Sequence, residues 1–375
     1  MLRIAEQCFI FARNKMTSNP VSPPPSTGAA DNSVAGSPVS PDQLLPPVEP
    51  PSARFILQLF VVPAVIVLFV VLLWLLVTTL ATRGEQDPDK IVQALRSSNP
   101  ARWQQAKELA DMLRLEQRYP KLKHNAYLAS QLAQMLGEEV DAGRTDDNSI
   151  EMRYFLCRVL GEFYVSDGLG VLLKAAREDV ERDVRREAIN ALAVLQYSFH
   201  TMQPPQTLED PDLVETLVQL ANDQDDLIRA QTAYALGLFA LQQDADGRLT
   251  DELEKLTDDL YADARYNAAL ALARRGNLRA TEAVIEMFDP AAIAGSVAQE
   301  NSPALQTFKR NTILKNALEA ARALFEKNPH ADLTELIGAV RRFVDTAPKE
   351  QVAGPIPEPL IKRGRRLLEQ YGASR

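Results

Sequence analysis

Three stretches decide how this chain folds: DVRREAINALAVL (183–195), DLIRAQTAYALGLF (226–239) and DARYNAALALARRG (263–276). Each carries an arginine, then Ala or Thr three residues on, Ala at six and Leu at seven. The sets are Arg185/Ala188/Ala191/Leu192, Arg229/Thr232/Ala235/Leu236 and Arg265/Ala268/Ala271/Leu272. Small and apolar residues at this spacing share one face of a helix. A looser copy is Arg153/Leu156/Val159/Leu160, and a fifth is Trp103/Ala106/Leu109/Ala110, where Trp replaces the arginine. Trp103, Arg153, Arg185, Arg229 and Arg265 follow one another at spacings of 50, 32, 44 and 36 residues. That is the range of two-helix repeats carrying insertions.

A second register reinforces the first. Six residues before each of the three clear arginines stands an aspartate: Asp179, Asp223 and Asp259. The pattern D-x-x-x-x-[VIA]-R, followed by small residues and Leu, resembles HEAT repeats, in particular the HEAT-like repeats named after phycobilisome lyases. The resemblance is clearest over 168–288 and extends more loosely to 88–167 and 306–371. It implies an α-solenoid in which the Asp caps its turn and Asp and Arg of neighbouring repeats pair into a ladder. Asp179, Arg185, Asp223, Arg229, Asp259 and Arg265 are then structural residues, not catalytic ones. At the first repeat Trp103 stands for the arginine and Ser97 for the aspartate, as expected of a cap. The helices expected at Leu305–Lys327, Ala331–Thr346 and Glu358–Tyr371 lack the motif and close the other end.

The expected packing follows from side-chain size. Alanines at 188, 191, 235, 268 and 271 let helices approach closely, while Leu and Val fill the layer between them. One two-helix unit cannot hide its own apolar face and buries it on its neighbours. Strand signals are lacking: there is no Asn-Gly hairpin and little period-two alternation. Asp87-Pro88, Asn99-Pro100 and Asp210-Pro211 read as helix starts, a capping side chain before a proline. Two stretches, Tyr197–Glu209 and Asp289–Ala304, interrupt the array and read as long loops.

Upstream of the repeats, FILQLFVVPAVIVLFVVLLWLLVTTLAT (55–82) runs 28 residues without a charge. Of the nineteen residues from Leu59 to Val77, sixteen are Val, Ile, Leu or Phe. A bilayer-spanning helix needs about 20 apolar residues. This run favours insertion by on the order of 5–10 kcal/mol. The expectation is a single transmembrane helix at 55–82 between a tail (1–54) and a body (84–375). Residues 17–54 contain ten prolines and three P-x-x-P motifs, a composition expected to stay disordered with polyproline-II character. Residues 1–15 differ from the rest of the tail and read either as a short amphipathic helix or, the favoured expectation, as an artefact with the true start at Met16. Near the run, Arg83, Lys90 and Arg96 on the C-terminal side outnumber Arg54 on the other, which leans toward a cytoplasmic body by the positive-inside rule; the alternative topology keeps the disordered tail inside and exports the body.

Composition then narrows the chemistry. The chain holds 41 basic and 50 acidic residues, a net charge of −9, and the tail is neutral, so the whole excess sits on the body. An acidic body is a poor match for a phosphate backbone, and no nucleic-acid partner is expected. Two cysteines, Cys8 and Cys157, lie on opposite sides of the apolar run and form neither a disulfide framework nor a thiolate metal site. Gly168-Leu-Gly170 lacks the third glycine and preceding strand of a dinucleotide loop, and no other catalytic motif occurs. Paired carboxylates such as Asp146-Asp147, Asp225-Asp226 and Asp258-Asp259 belong at helix starts or in turns, where the helix dipole favours them. No cofactor, metal or catalysis is expected. Lys362, Arg363, Arg365 and Arg366 form the one compact basic run. It is ordinarily a solvated face, and otherwise a contact for anionic lipid or an acidic partner surface. The chain therefore reads as a membrane-tethered scaffold that binds protein partners on the concave, second-helix face. Its alternatives are a lyase-like module, with Cys157 as the lone body thiol, and a structural envelope component.

Overall fold

The computed structural model describes residues 53–82, 88–115, 119–241, 244, 246–347 and 354–372. The expectations for the proline-rich tail and the start site, and the capping role of Asp87, lie outside these residues. The described chain divides into two units, the apolar helix and everything from Pro88 onward.

The apolar unit is one helix, α1 (Ala53–Thr82), which runs through Pro63. From Leu57 to Leu76 its mean hydropathy is 3.2 and none of it is buried. By length and composition, it is the one described helix able to cross a membrane.

The second unit is entirely helical among the described residues. Its helices are α2 (Pro88–Leu95), α3 (Trp103–Arg114), the short α4 (Pro120–Lys123), α5 (Ala126–Ala142), α6 (Asp147–Gly161), α7 (Leu169–Glu178), α8 (Arg182–Thr201), α9 (Leu213–Ala221), α10 (Asp226–Phe239), α11 (Arg248–Leu256), α12 (Ala262–Arg275), α13 (Thr281–Glu286), α14 (Pro290–Val297), α15 (Pro303–Lys327), α16 (Thr334–Thr346) and α17 (Glu358–Tyr371). They pack as two parallel layers. First helices α2, α5, α7, α9 and α11 contact one another in sequence order, and so do second helices α3, α6, α8, α10, α12 and α15. Each first helix also packs on the second helix that follows it, so the core is the seam between the layers.

Local chemistry explains the boundaries. Asn125, Asp146 and Asp225 accept hydrogen bonds from the free amides of the first turns of α5, α6 and α10, as N-caps do. Asn99 caps a 3-10 turn at Pro100–Arg102 that leads into α3. Asp210 caps no helix: its carboxylate accepts from the Asp212 amide, and α9 begins only at Leu213. The expected long loop at 289–304 is a correction. Asp289 caps and Pro290 opens a further helix, α14, an Asp-Pro start of the same kind as the others. The other interruption begins inside α8, which extends to Thr201.

The second helices cross at their small residues. A Cβ on Gly161 of α6 would lie 2.8 Å from the Ala191 Cα of α8, and one on Gly237 of α10 would lie 2.7 Å from the Ala271 Cβ of α12. Only glycine opposite alanine allows these backbones so close.

Candidate functional site

Four of the six ladder residues meet as pairs between neighbouring repeats. Arg185 Nη2 donates to Asp223 Oδ2. Arg229 is bidentate on Asp259, with Nε–Oδ2 at 2.6 Å and Nη2–Oδ1 at 2.9 Å. Each aspartate also closes its own turn: Asp179, Asp223 and Asp259 accept from the amides of Glu181, Asp225 and Tyr261 at 2.9, 2.9 and 2.8 Å. One carboxylate thus serves its turn and the preceding repeat together.

The two remaining members pair with residues outside the six. Asp179 takes Arg153, Nε–Oδ2 2.7 Å and Nη2–Oδ1 3.3 Å. Arg265 takes Glu286, with Nε–Oε2 at 3.0 Å and Nη2 on Oε1. Arg153 stands six residues after Asp147, the same spacing as in the clear repeats, so a stricter reading of the register would have added it. Glu286 is the last residue of α13; its longer side chain replaces an aspartate that would sit beyond the helix. In the first repeat Trp103 stacks on Phe155, with centroids 5.7 Å apart and planes at 12°. Its neighbour Arg102 reaches Glu139 instead.

Burial grades the rungs. The side chains of Arg153 and Asp179 are 0 % and 1 % exposed, against 19 % and 18 % for Arg185–Asp223 and 20 % and 29 % for Arg265–Glu286. Burial pushes the Asp259 carboxyl up, but the hydrogen bonds from Arg229 and the Tyr261 amide, with the nearby charges of Arg229 and Arg265, pull it down further, so it lies below its ordinary value. The same hydrogen bond raises the Arg229 guanidinium.

The array holds a second fully buried ion pair. Lys309 Nζ lies 3.1 Å from Asp263 Oδ2 and 3.4 Å from Glu300 Oε1. It ties α15 to the start of α12, while Ser296 of α14 donates to Asp263 Oδ1 at 3.4 Å. Burial dominates here and raises the Asp263 carboxyl despite Lys309. The stretch expected to be a long loop is therefore a brace.

The second-helix face carries a shallow groove across α10, α12 and α15, lined by Tyr234, Leu238, Asn267, Arg274 and Asn316 among others. Arg274 is held by Glu319, with Nε and Nη2 at 2.9 and 2.8 Å from Oε1. Asn267 donates to the Ala230 carbonyl at 2.9 Å. Gly237 and Ala271, at the close crossing of α10 and α12, also line this groove. Farther along the same face, Glu187 of α8 is buried and takes hydrogen bonds from Tyr154 and Asn190, and burial raises its carboxyl above the ordinary range.

Cys157 is fully buried, and burial drives its thiol well above the ordinary value. A thiol held protonated is a poor nucleophile. Among the described residues no three His, Cys, Asp or Glu side chains could together hold a metal ion. On α17 Lys362, Arg365 and Arg366 are exposed and Arg363 is half-buried, while Ile361, Gly364 and Leu367 face the core.

Residues 142–236 match the family model of HEAT repeats. The second unit is an all-α helical-repeat array with HEAT repeats. Its matched stretch covers the Arg153–Asp179 and Arg185–Asp223 rungs. No curated protein matches the chain. Among solved structures, an engineered protein from a structural genomics consortium aligns at 17 % identity, covering 77 % of this chain and 98 % of its own, with a TM-score of 0.32.

Proposed function

We propose that this protein is a membrane-tethered scaffold whose HEAT-repeat array binds a protein partner on its second-helix face. HEAT repeats generally mediate protein interactions, and an array of stacked helices offers an extended surface rather than a single pocket. The observation that carries the reading is the second-helix layer itself. Six second helices succeed one another side by side, their register braced by ion pairs, and at Gly237 and Ala271 their outer face opens into a groove with apolar, aromatic and amide groups. Such mixed lining suits a polypeptide. The lyase-like subtype gains no support from the buried, protonated Cys157, and we assign the chain no catalytic step.

The tether is α1, with the array on the cytoplasmic side as the basic residues near the run favour. A reporter active in one compartment only, fused after Arg375, tests the side. The scaffold reading is tested by affinity capture with the full chain in mild detergent, comparing wild type with a Tyr234→Ala/Leu238→Arg variant. The expected result is one or a few proteins retained by wild type and lost by the variant. Identical capture by both would overturn the assignment of this face.

A further inference from the structure

We propose that the exposed basic face of α17, extended by Arg341 and Arg342 of α16, docks on an anionic lipid surface. The inference rests on the membrane-tether reading and adds a second point of membrane contact to it.

Charge compensation singles out these two helices. Through most of the array cations are neutralised in place: Arg102, Arg114, Arg153, Arg185, Arg229, Arg248, Arg265, Arg274 and Arg279 each lie within 4 Å of a carboxylate on another element. On α16 and α17 the pattern changes. Among the described residues, Arg341, Arg342, Lys362, Arg363 and Arg366 form no ion pair, and Arg365 has only a 3.5 Å contact to the exposed Glu358. The two helices pack on each other, with Gly364 of α17 set against Phe343 and Val344 of α16. Five uncompensated cations are thereby gathered onto one end of the array.

The occupant follows from the charge of everything else. Helix α17 holds four basic and two acidic residues, a net of +2, whereas the whole chain carries −9; the remaining residues therefore sum to −11. An anionic bilayer repels such a body everywhere except where cations stand exposed and unpaired. Helix α17 is also amphipathic in the required sense: Ile361, Gly364 and Leu367 face inward and the cations face water. Each cation near an anionic surface strengthens partition by roughly fivefold. A chain already tethered by an apolar helix meets that surface at high effective concentration, so a weak patch suffices. A soluble acidic protein would have to find the patch without this advantage, which favours lipid as the partner.

The test uses the full chain in nanodiscs, with a fluorophore on Glu369→Cys in a Cys8→Ser background and a quencher on a fraction of the lipid headgroups. Discs of phosphatidylcholine are compared with discs containing 30 % phosphatidylglycerol. Quenching is expected to rise severalfold in the anionic discs and to return to the neutral level in 0.5 M salt or with Lys362→Glu/Arg366→Glu. It is expected to survive Arg363→Lys/Arg366→Lys, which keeps the charge. Equal quenching in both lipids, or quenching indifferent to charge reversal, overturns the proposal. Failure of the tether itself registers separately, as chain recovered outside the discs. Flotation of that soluble chain with phosphatidylglycerol vesicles then reads the patch alone, and no flotation overturns it.

Discussion

Arg153 Nε and Asp179 Oδ2 lie 2.7 Å apart with both side chains shut away from water. The pair joins α6 to the turn that ends α7, one repeat further on. Removing either partner strands a buried charge. Arg153→Ala or Asp179→Ala is expected to cost about 3–5 kcal/mol, while Arg265→Ala, at a half-solvated rung, should cost about 1 kcal/mol. Chemical denaturation of the variants checks the contrast. Equal losses at the two rungs would show that burial does not grade the ladder.

Acid should weaken the array partly through Asp259. Its folded-state pKa lies below the ordinary value, net of a burial effect acting the other way. The stability it contributes is therefore present above the unfolded pKa of about 3.9 and lost as pH falls through the lower folded value. Asp259→Asn should flatten the acid limb of the stability profile below about pH 4 and lower stability above it.

Glu187 has the opposite sign. Burial raises its carboxyl, so the stability it contributes is present below the unfolded pKa and declines as pH rises through the folded one. Glu187→Gln should raise the melting temperature at pH 7 and leave it nearly unchanged at pH 4. Thermal melts at the two values decide it, and a lower melting temperature at pH 7 would contradict the assignment.

The close crossing of α10 and α12 leaves no room for a methyl group. Gly237→Ala puts a Cβ 2.7 Å from that of Ala271 and should destabilise by about 1–3 kcal/mol. Gly170→Ala, where nothing lies within 4 Å of the added atom, is the control and should not destabilise.

Membrane retention should depend on α1 by composition. Leu68→Arg/Leu72→Arg adds an insertion cost of about 5–7 kcal/mol at the middle of the run, comparable to everything favouring insertion. Alkaline carbonate extraction should leave wild type in the membrane pellet and release the variant.

The repeat was legible because packing leaves a periodic trace. Small residues at 188, 191, 235, 268 and 271 mark where second helices meet, and the Asp–Arg spacing of six marks each turn and its rung. The C-terminal helices were legible to within three residues, since their apolar periodicity is strong. Glu286 escaped because a longer side chain reaches the same arginine from a different backbone position. The brace at Lys309 escaped because its partner lies 46 residues away, and no local pattern links a lysine to a distant aspartate. Helix α14 was missed even though its Asp289-Pro290 start is local.

The sequence alone determined an apolar helix of membrane-spanning length and a run of two-helix units, because both depend on the period and composition of short segments. Tertiary structure decided which arginine pairs with which carboxylate, how deeply each pair is buried, and which cations are left without a partner. Those depend on the stacking of one repeat on the next. Stacking sets distances between residues 21 to 46 positions apart, and with them the solvation that makes one ion pair a buried lock and another a solvated contact.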